Sequence, residues 1–530
     1  MIPGSNRRKE CLEQKMNAER QFDVIIIGTG AGGGTLARRL APSGKKILLL
    51  ERGGFLPRER ENFDHTEVWL RRRYISRDIW YDAKDRPFRP DVYYYVGGAT
   101  KVYGVALIRL RKEDFGVLHH HGGISPAWPI SYEDLEPYYT EAERLYQVHG
   151  QRQVDPTEPP ASGPYPFPPA RHAPLIEELA EDLRQLGYHP FPMPLGVMLD
   201  DERLEHSRCI RCEICSSYPC LVQAKCDAEV IGVRPALEYP NVQLLTHHEV
   251  VRLETSPSGR EVTRVIARHE GQEEAFQGNI VVVSAGAANS ARILLSSAND
   301  KHPRGLANGS DQLGRNYMYH NIAVLVAFSI RRNTSRFQKT LGLNDFYFGT
   351  AGFEFPMGNI QLLDKTNWQV LRAEGAPLVP RSVLKFAAAH GLEFALFSED
   401  LPDPNNRVTL TKEGRIRLSY RPNNLQAMLR LQAKLKAVLN EIAAKRGFFH
   451  RNLFAVRRIP VSAVGHQAGT CRFGRDPQSS VLDPNCKAHE LGNLYVVDTS
   501  FFPSVGAVNP SLTAMANALR VGDHILERLR

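Results

Sequence analysis

The stretch VIIIGTGAGGGTLARRL, Val24 to Leu40, constrains the fold more than any other. An apolar run gives way to five glycines within seven residues: Gly28, Gly30, Gly32, Gly33 and Gly34. Glycine loses the most conformational freedom on folding, so a run of it straight after a core strand is locally costly. The cost makes sense where something must come close to the main chain. Val24 to Ile27 reads as a short buried strand of four β-branched residues. Leu36 and Leu40, with the small residues before them, suit a helix. The spacing Gly28-Thr29-Gly30-Ala31-Gly32-Gly33 fits G-x-G-x-x-G. The first glycine makes the tight turn, the second admits a pyrophosphate and the third lets helix and strand pack closely. The helix N-terminus adds N–H donors and partial positive charge. A second strand, Lys46 to Leu50, leads into Glu51, an acid placed to accept a ribose hydroxyl. An acid there favours an adenosine with a free 2′-hydroxyl. The motif predicts a dinucleotide site and does not separate FAD from NAD.

A chain of 530 residues buries a large core and is expected to form more than one lobe. Its net charge of +9 reads as scattered surface Lys and Arg. The short basic runs LRRRY (Leu70 to Tyr74) and IRLRK (Ile108 to Lys112) sit in no nucleic-acid motif, so no nucleic-acid partner is expected. No apolar stretch approaches a membrane span, so no membrane association is expected. The first twenty residues are polar, read as a surface or frayed helix, and lack the apolar core of a signal peptide. A cytoplasmic location with free thiols is the expectation.

The Pro-rich stretch DPTEPPASGPYPFPPARHAP, Asp155 to Pro174, reads as a surface crossing between lobes. NIVVVSAGAANSARILL, Asn279 to Leu295, is strand, small-residue turn and helix again, and NLYVVDTSFFPS, Asn493 to Ser504, is a third buried strand running into a turn. The nucleotide domain is therefore expected to be discontinuous, over residues 20–150, 205–320 and 455–530. Residues 151–204 and 321–454 would form a substrate-binding domain. Within it, Leu341 to Tyr420, with alternating patterns such as RVTLTKEGRIRLSY, reads as antiparallel sheet suited to roofing a pocket. The expected class is α/β plus antiparallel sheet, with a Rossmann-like nucleotide domain.

Further stretches carry a family resemblance. They are VGGATKVYGVALIRLRKEDF (Val96 to Phe115), ISYEDLEPYYTEAE (Ile130 to Glu143), DQLGRNYMYH (Asp311 to His320) and NRVTL (Asn406 to Leu410). The most specific are GHQAGTCRFG (Gly465 to Gly474) and NLYVVDTSFFPSVGAVNPSLTAMANALRVGDHI (Asn493 to Ile525). Together with the glycine loop they resemble the glucose–methanol–choline (GMC) oxidoreductases, FAD enzymes that oxidise alcohols. The resemblance spans most of the chain and implies FAD rather than NAD. It assigns FAD contacts to Gly28, Gly30, Gly33, Glu51, Arg52, Gly97, Gly98, Tyr103, Gly104, Ala285, Asp498 and Pro510. Some members link FAD covalently through a His in the Gly-Gly segment. Val102 stands at that place here, so noncovalent FAD is expected.

Alcohol oxidation needs a base for the hydroxyl proton and an acceptor for the hydride, which flavin N5 supplies. His466 matches the family's active-site His, and Asn509 its His-or-Asn partner in VNPSL. Asn509 holds an oxygen but cannot titrate, so the base role falls to His466. Pro510 suits the first turn of a helix through Leu512, Met515 and Leu519. By family analogy its positive end faces the flavin pyrimidine edge and stabilises the anionic reduced ring. Asp498 reads either as an FAD-binding acid or as a turn cap.

CIRCEICSSYPCLVQAKC holds Cys209, Cys212, Cys215, Cys220 and Cys226. The run approaches a ferredoxin pattern but lacks its three-residue gap and final proline, and a thiol or disulfide loop without metal is the expectation. His119 to His121 read as an exposed loop. The substrate is expected to be a small-molecule alcohol, a sugar or glycoside by likeness to bacterial pyranose and glycoside oxidases, with Gln361 and Gln467 offering groups for its hydroxyls. The electron acceptor is O2 or another oxidant. A dehydrogenase passing electrons from a sterol or aromatic alcohol to a quinone or haem protein, a non-redox flavin-bound lyase, and an iron–sulfur electron-transfer subunit all stay open.

Overall fold

The strand after which the glycine loop begins, β1 (Gln21–Ile27), is the centre of a parallel sheet. β2 (Ile47–Leu50) lies on one side of it, with the strand Val242–Leu245 beyond, and β3 (Gln272–Val283) on the other, followed by β8 (Leu494–Val496). In this computed structural model residues 21–373, 377–463 and 465–530 are described, and the expected N-terminal helix falls on residues 1–20, outside them. Ile25 and Ile26 point to opposite faces and both have no exposed surface, which is why β1 is apolar without alternation. The first half of β3 runs on past β1 and pairs antiparallel with Val262–His269, which pairs with Glu249–Thr255. All parallel strands end at one edge. There Ile27 leads to Gly28, Leu50 to Glu51, Val283 to Ser284 and Val496 towards Asp498. The carboxyl ends of parallel strands are where such sheets bind ligands. Helices α1 (Ala31–Leu40), α2 (Ala287–Ser296) and α4 (Ser511–Arg528) start from this edge.

The second sheet is antiparallel. Its order is β7 (Phe449–Arg458), β4 (Asn321–Ser329), β6 (Gly391–Ser398), β5 (Asn359–Leu362), then short strands at Leu341–Leu343 and Phe191–Pro192. Period-2 alternation assigns its two faces. Leu392, Phe394 and Leu396 of β6 join a core cluster with Leu431, Leu435, Leu439 and Ile442 of α3 (Leu425–Arg446). The intervening Glu393, Ala395 and Phe397 face a cleft between the two sheets. The expected roof is therefore present, with two departures. RVTLTKEGRIRLSY forms a hairpin (Arg407–Leu410 with Ile416–Ser419), but it belongs to a separate small sheet with Trp80–Asp82 and Pro87–Phe88. Trp368–Ala373 and Arg381–His390 are helices, not strands. The expected division between residues 454 and 455 falls inside β7, which continues in the second sheet to Arg458.

Candidate active site

The glycines of the loop divide by what surrounds them. A Cβ on Gly28, whose φ is +97°, would lie 2.3 Å from the Ser284 carbonyl oxygen. On Gly32 it would lie 1.8 Å from the Val497 oxygen, and on Gly33 2.0 Å from that of Gly28. These three are glycine because backbone packs directly on backbone. Gly30 differs: its backbone is extended, and a Cβ there would meet nothing within 4 Å. It opens into a cleft of about 690 Å³. Gly98 (φ +55°) comes up from the Gly-Gly segment, where a Cβ would lie 3.0 Å from the Gly30 Cα. Bare backbone on both sides, with the α1 N-terminus pointing at it, fits a pyrophosphate. The residues present therefore suit FAD.

Glu51 lines the same cleft beside the glycine loop. Its carboxylate accepts from Thr29 N (3.1 Å), Thr29 Oγ1 (2.6 Å) and Gly53 N (3.0 Å), and burial raises its pKa. Thr29 Oγ1 in turn accepts from Gly97 N at 3.0 Å, locking the glycine loop to the Gly-Gly segment. Arg52 is held at 2.9 Å by Asp78, with its guanidinium 4.1 Å above the Tyr94 ring. Asp498 lines the cleft, but its oxygens accept from Gly286 N (2.9 Å), Ser290 Oγ (2.5 Å), Ser500 N (2.8 Å) and Ser500 Oγ. It caps the turn after β8 and borders the cleft beside Ala285.

At the other end of the cleft, segments far apart in the chain converge. His466 comes from the loop after β7, Asn509 from the turn before α4 and Gln361 from β5. Pro510 is the N-cap of α4, one position before its first turn. Burial pushes the His466 imidazole down to about 4, so the ring is neutral at neutral pH and able to accept a proton. It stacks on Phe397 with 5.7 Å between ring centroids. Its Nδ1 lies 3.0 Å from Nδ1 of His320. His320 has no exposed surface, and burial, then the neighbouring His466, lowers its pKa well below the usual value. Two neutral rings joined Nδ1 to Nδ1 share one proton. With that proton on His466, its Nε2 is bare and free to act as the base. Asn509 Oδ1 accepts from Gln361 Nε2 at 3.0 Å, so the N–H group of this cleft-lining amide is the one left for a ligand.

Of the residues expected from sequence, His466, Asn509, Gln361, Gln467, Gly28, Gly30, Glu51, Arg52, Gly98, Tyr103, Gly104, Ala285, Asp498 and Pro510 all border this one cleft. Gly33 and Gly97 do not: they stand behind it, Gly33 against Gly28 and Gly97 against Thr29. Tyr103 is pinned by its hydroxyl donating to the Cys226 carbonyl at 2.6 Å. His320 and Thr29 had been given no role, although both lie in stretches that carry the resemblance. His120 is not in an exposed loop. It is buried at the end of the strand Leu118–His120, with Nε2 3.1 Å from Glu399, because alternation turns it inward while His119 faces out. Cys209, Cys212, Cys215, Cys220 and Cys226 are free thiols, and burial pushes Cys215 up to about 12. Among the described residues no group of three or more His, Cys, Asp or Glu side chains is placed to hold a metal. No described helix is long and apolar enough to cross a membrane.

Comparison with known proteins agrees with this geometry. The N-terminal GMC oxidoreductase family model matches residues 92–322, and the C-terminal one residues 402–518. The chain is 30% identical to 6'''-hydroxyparomomycin C oxidase of Streptomyces lividus, over 97% of its own length and 92% of that protein. It is 28% identical to 2-methyl-1,2-propanediol dehydrogenase of Mycolicibacterium austroafricanum, over 96% of each. Its fold matches pyridoxine 4-oxidase from Mesorbium loti with a TM-score of 0.64, at 18% identity, over 95% of this chain and 99% of that one.

Proposed function

The chain belongs to the GMC oxidoreductase family and is an FAD enzyme acting on CH–OH groups, and from that premise we propose that it oxidises a hydroxyl of a sugar or glycoside with His466 as base and Asn509 as the group that holds the reacting oxygen. The observation that carries the proposal is the meeting of His466, Asn509 and Gln361 in the cleft that Gly30 opens into. Bound FAD, held without a covalent link because Val102 stands where a linking His would be, supplies the acceptor for the hydride that leaves the carbinol carbon. His466 takes the hydroxyl proton at Nε2, with the proton of the shared Nδ1–Nδ1 contact on its own ring and donated to His320. The Asn509 N–H donates to the same oxygen as negative charge develops on it. The first turn of α4 adds partial positive charge at this end of the cleft. Gln361 and Gln467 offer polar atoms to neighbouring hydroxyls. A polyhydroxylated substrate suits these amides, and the aminoglycoside oxidase relative supports the reading. Domain division follows the two sheets, with the nucleotide lobe on the parallel one, and a cytoplasmic location is part of the same proposal.

The test is an anaerobic panel of sugars, glycosides, sterols and aromatic alcohols mixed with the yellow enzyme. Loss of flavin absorbance with sugars is the expected result. Bleaching by sterols or aromatic alcohols alone would replace the substrate class, and bleaching by none would leave the lyase reading. Readmitting O2 then distinguishes an oxidase from a dehydrogenase.

A further inference from the structure

A row of buried amides runs from the cleft to the ion pair of Asp155 with Arg111. Gln361 Nε2 donates to Asn509 Oδ1 and to Asn359 Oδ1, both at 3.0 Å. Asn359 Nδ2 donates to Asn344 Oδ1 at 2.7 Å, and Asn344 Nδ2 donates to Asp155 Oδ2 at 2.6 Å. Asp155 Oδ2 also lies 3.3 Å from Arg111 Nη1, and its Oδ1 accepts from Thr157 N and Oγ1. Asn344 and Asn359 have no exposed surface, Gln361 is 4% exposed and Arg111 1%. Asp155 opens the Pro-rich crossing, to which the proposed chemistry gives no part.

An amide presents a donor on one side and an acceptor on the other, and a half-turn exchanges them. In a buried row each amide must match its neighbour, because a donor facing a donor is left unpaired in a low dielectric. A row made only of amides satisfies itself equally well in either sense. Reversed, Gln361 would present Oε1 to its neighbours, and Asn509 would turn its carbonyl to the cleft. The carboxylate of Asp155, paired with Arg111, removes that choice, since a carboxylate only accepts. It forces Asn344 to offer Nδ2, hence Asn359 to offer Nδ2 to Asn344, hence Gln361 to offer Nε2, hence Asn509 to turn Oδ1 inward and its N–H outward.

We infer that Asp155 is a positioning residue for alcohol oxidation: through Asn344, Asn359 and Gln361 it fixes the amide of Asn509 so that an N–H, and not a carbonyl, meets the substrate oxygen. The inference rests on the proposed role of Asn509. It also gives Gln361 a defined face: both its N–H groups are engaged within the row, which leaves Oε1 as the atom it offers to the cleft. The site then offers a donor to the reacting oxygen from Asn509 and an acceptor to a neighbouring hydroxyl from Gln361.

The test is Asp155→Asn, which keeps the shape and removes the anchor. Two readouts are taken: the rate of flavin reduction by alcohol, and the affinity for acetate, an acceptor-only probe, from the absorbance of the oxidised bound flavin. Both should fall, by up to about 10²-fold, the worth of one donor to a developing oxyanion. Adding Asn359→Asp to Asp155→Asn re-creates an acceptor-only group next to Gln361 and should restore most of the loss. A merely structural contribution of Asp155 would not be rescued by a carboxylate two links away. Asn359→Leu severs the row while leaving the Arg111 ion pair intact, and should show the same two losses even if Asp155→Asn folds poorly. Unchanged rate and acetate affinity in folded Asp155→Asn and Asn359→Leu would overturn the inference, as would a double variant no better than Asp155→Asn alone. Asn509→Ala separates the levels: an unchanged reduction rate there would defeat the Asn509 reading and the inference with it, whereas a slowed rate beside a normal Asp155→Asn enzyme defeats the inference alone.

Discussion

Substituting Gly30 and Gly32 by alanine separates ligand space from packing space within one loop. The two positions are two residues apart and face different things. At Gly32 the added methyl would lie 1.8 Å from the Val497 oxygen, about half an ordinary contact of 3.4–4 Å. That oxygen is main chain at the end of the C-terminal strand, so it cannot swing aside, and Gly32→Ala should prevent folding or lower the melting temperature sharply. At Gly30 the methyl meets no protein atom within 4 Å, and φ of −69° with ψ of −161° is open to alanine. The apo protein should fold with Gly30→Ala and melt at the same temperature or slightly higher, since alanine also narrows the unfolded ensemble. What the methyl fills is the space opposite Gly98 that the pyrophosphate needs. An overpacked contact costs about 1–3 kcal/mol. At 1.4 kcal/mol per factor of ten, the loss in FAD affinity is roughly 5- to 150-fold. The assay is a melt of the apo proteins beside a fluorescence-quenching titration with FAD. A Gly30→Ala protein that binds FAD as tightly as the parent would refute the placement of the pyrophosphate at this turn. One that fails to fold would refute the division between packing and ligand glycines.

The remaining predictions concern the cofactor linkage and a buried acid. Acid denaturation and centrifugation should release all yellow colour into the supernatant, because Val102 offers no nucleophile; colour in the pellet would mean a covalent bond elsewhere. Asp400 has no exposed surface, accepts from Tyr319 N (3.1 Å) and Tyr420 Oη (3.0 Å), and is pushed by burial up to about 8. Its folded pKa exceeds its unfolded one, so the stability it lends is complete below about pH 4 and is lost as pH rises towards 8. Asp400→Asn should therefore gain on the parent in thermal melts as pH rises from 4 to 8, and a constant difference across that range would show that Asp400 is ionised throughout.

The nucleotide half of the site was legible in sequence because its chemistry is written in main chain. A β-branched run, a glycine loop and an acid after the next strand are local signals, and Gly28, Gly30 and Glu51 sit where those signals put them. The proposed reacting end was suggested only by the resemblance, since His466 and Asn509 are single residues in loops that the fold alone brings together. His320 escaped notice for the same reason. It closes DQLGRNYMYH, but nothing local distinguishes a histidine that will meet another from a distant loop from one that packs in a core. The second sheet was read correctly where alternation was sustained, as in β6, and misread at Arg381–His390, where tertiary context makes a helix. His120 was misread because three consecutive histidines suggest a loop, whereas a strand buries every second residue.

The account's central claim is that His466 takes the proton from the alcohol, and the reductive half-reaction of His466→Ala, followed by anaerobic rapid mixing, tests it most directly. The variant should bind FAD as the parent does and reduce it roughly 10²–10⁴-fold more slowly, the usual worth of a general base. The deficit should shrink at high pH, where alkoxide forms without help. In the parent, the rate should stay level through neutrality and fall only on the acid side, as His466 protonates near its depressed value of about 4. Asn509→Ala should slow the step less and keep the parent's pH profile. A His466→Ala enzyme that bleaches its intact FAD at close to the parent rate would contradict the claim.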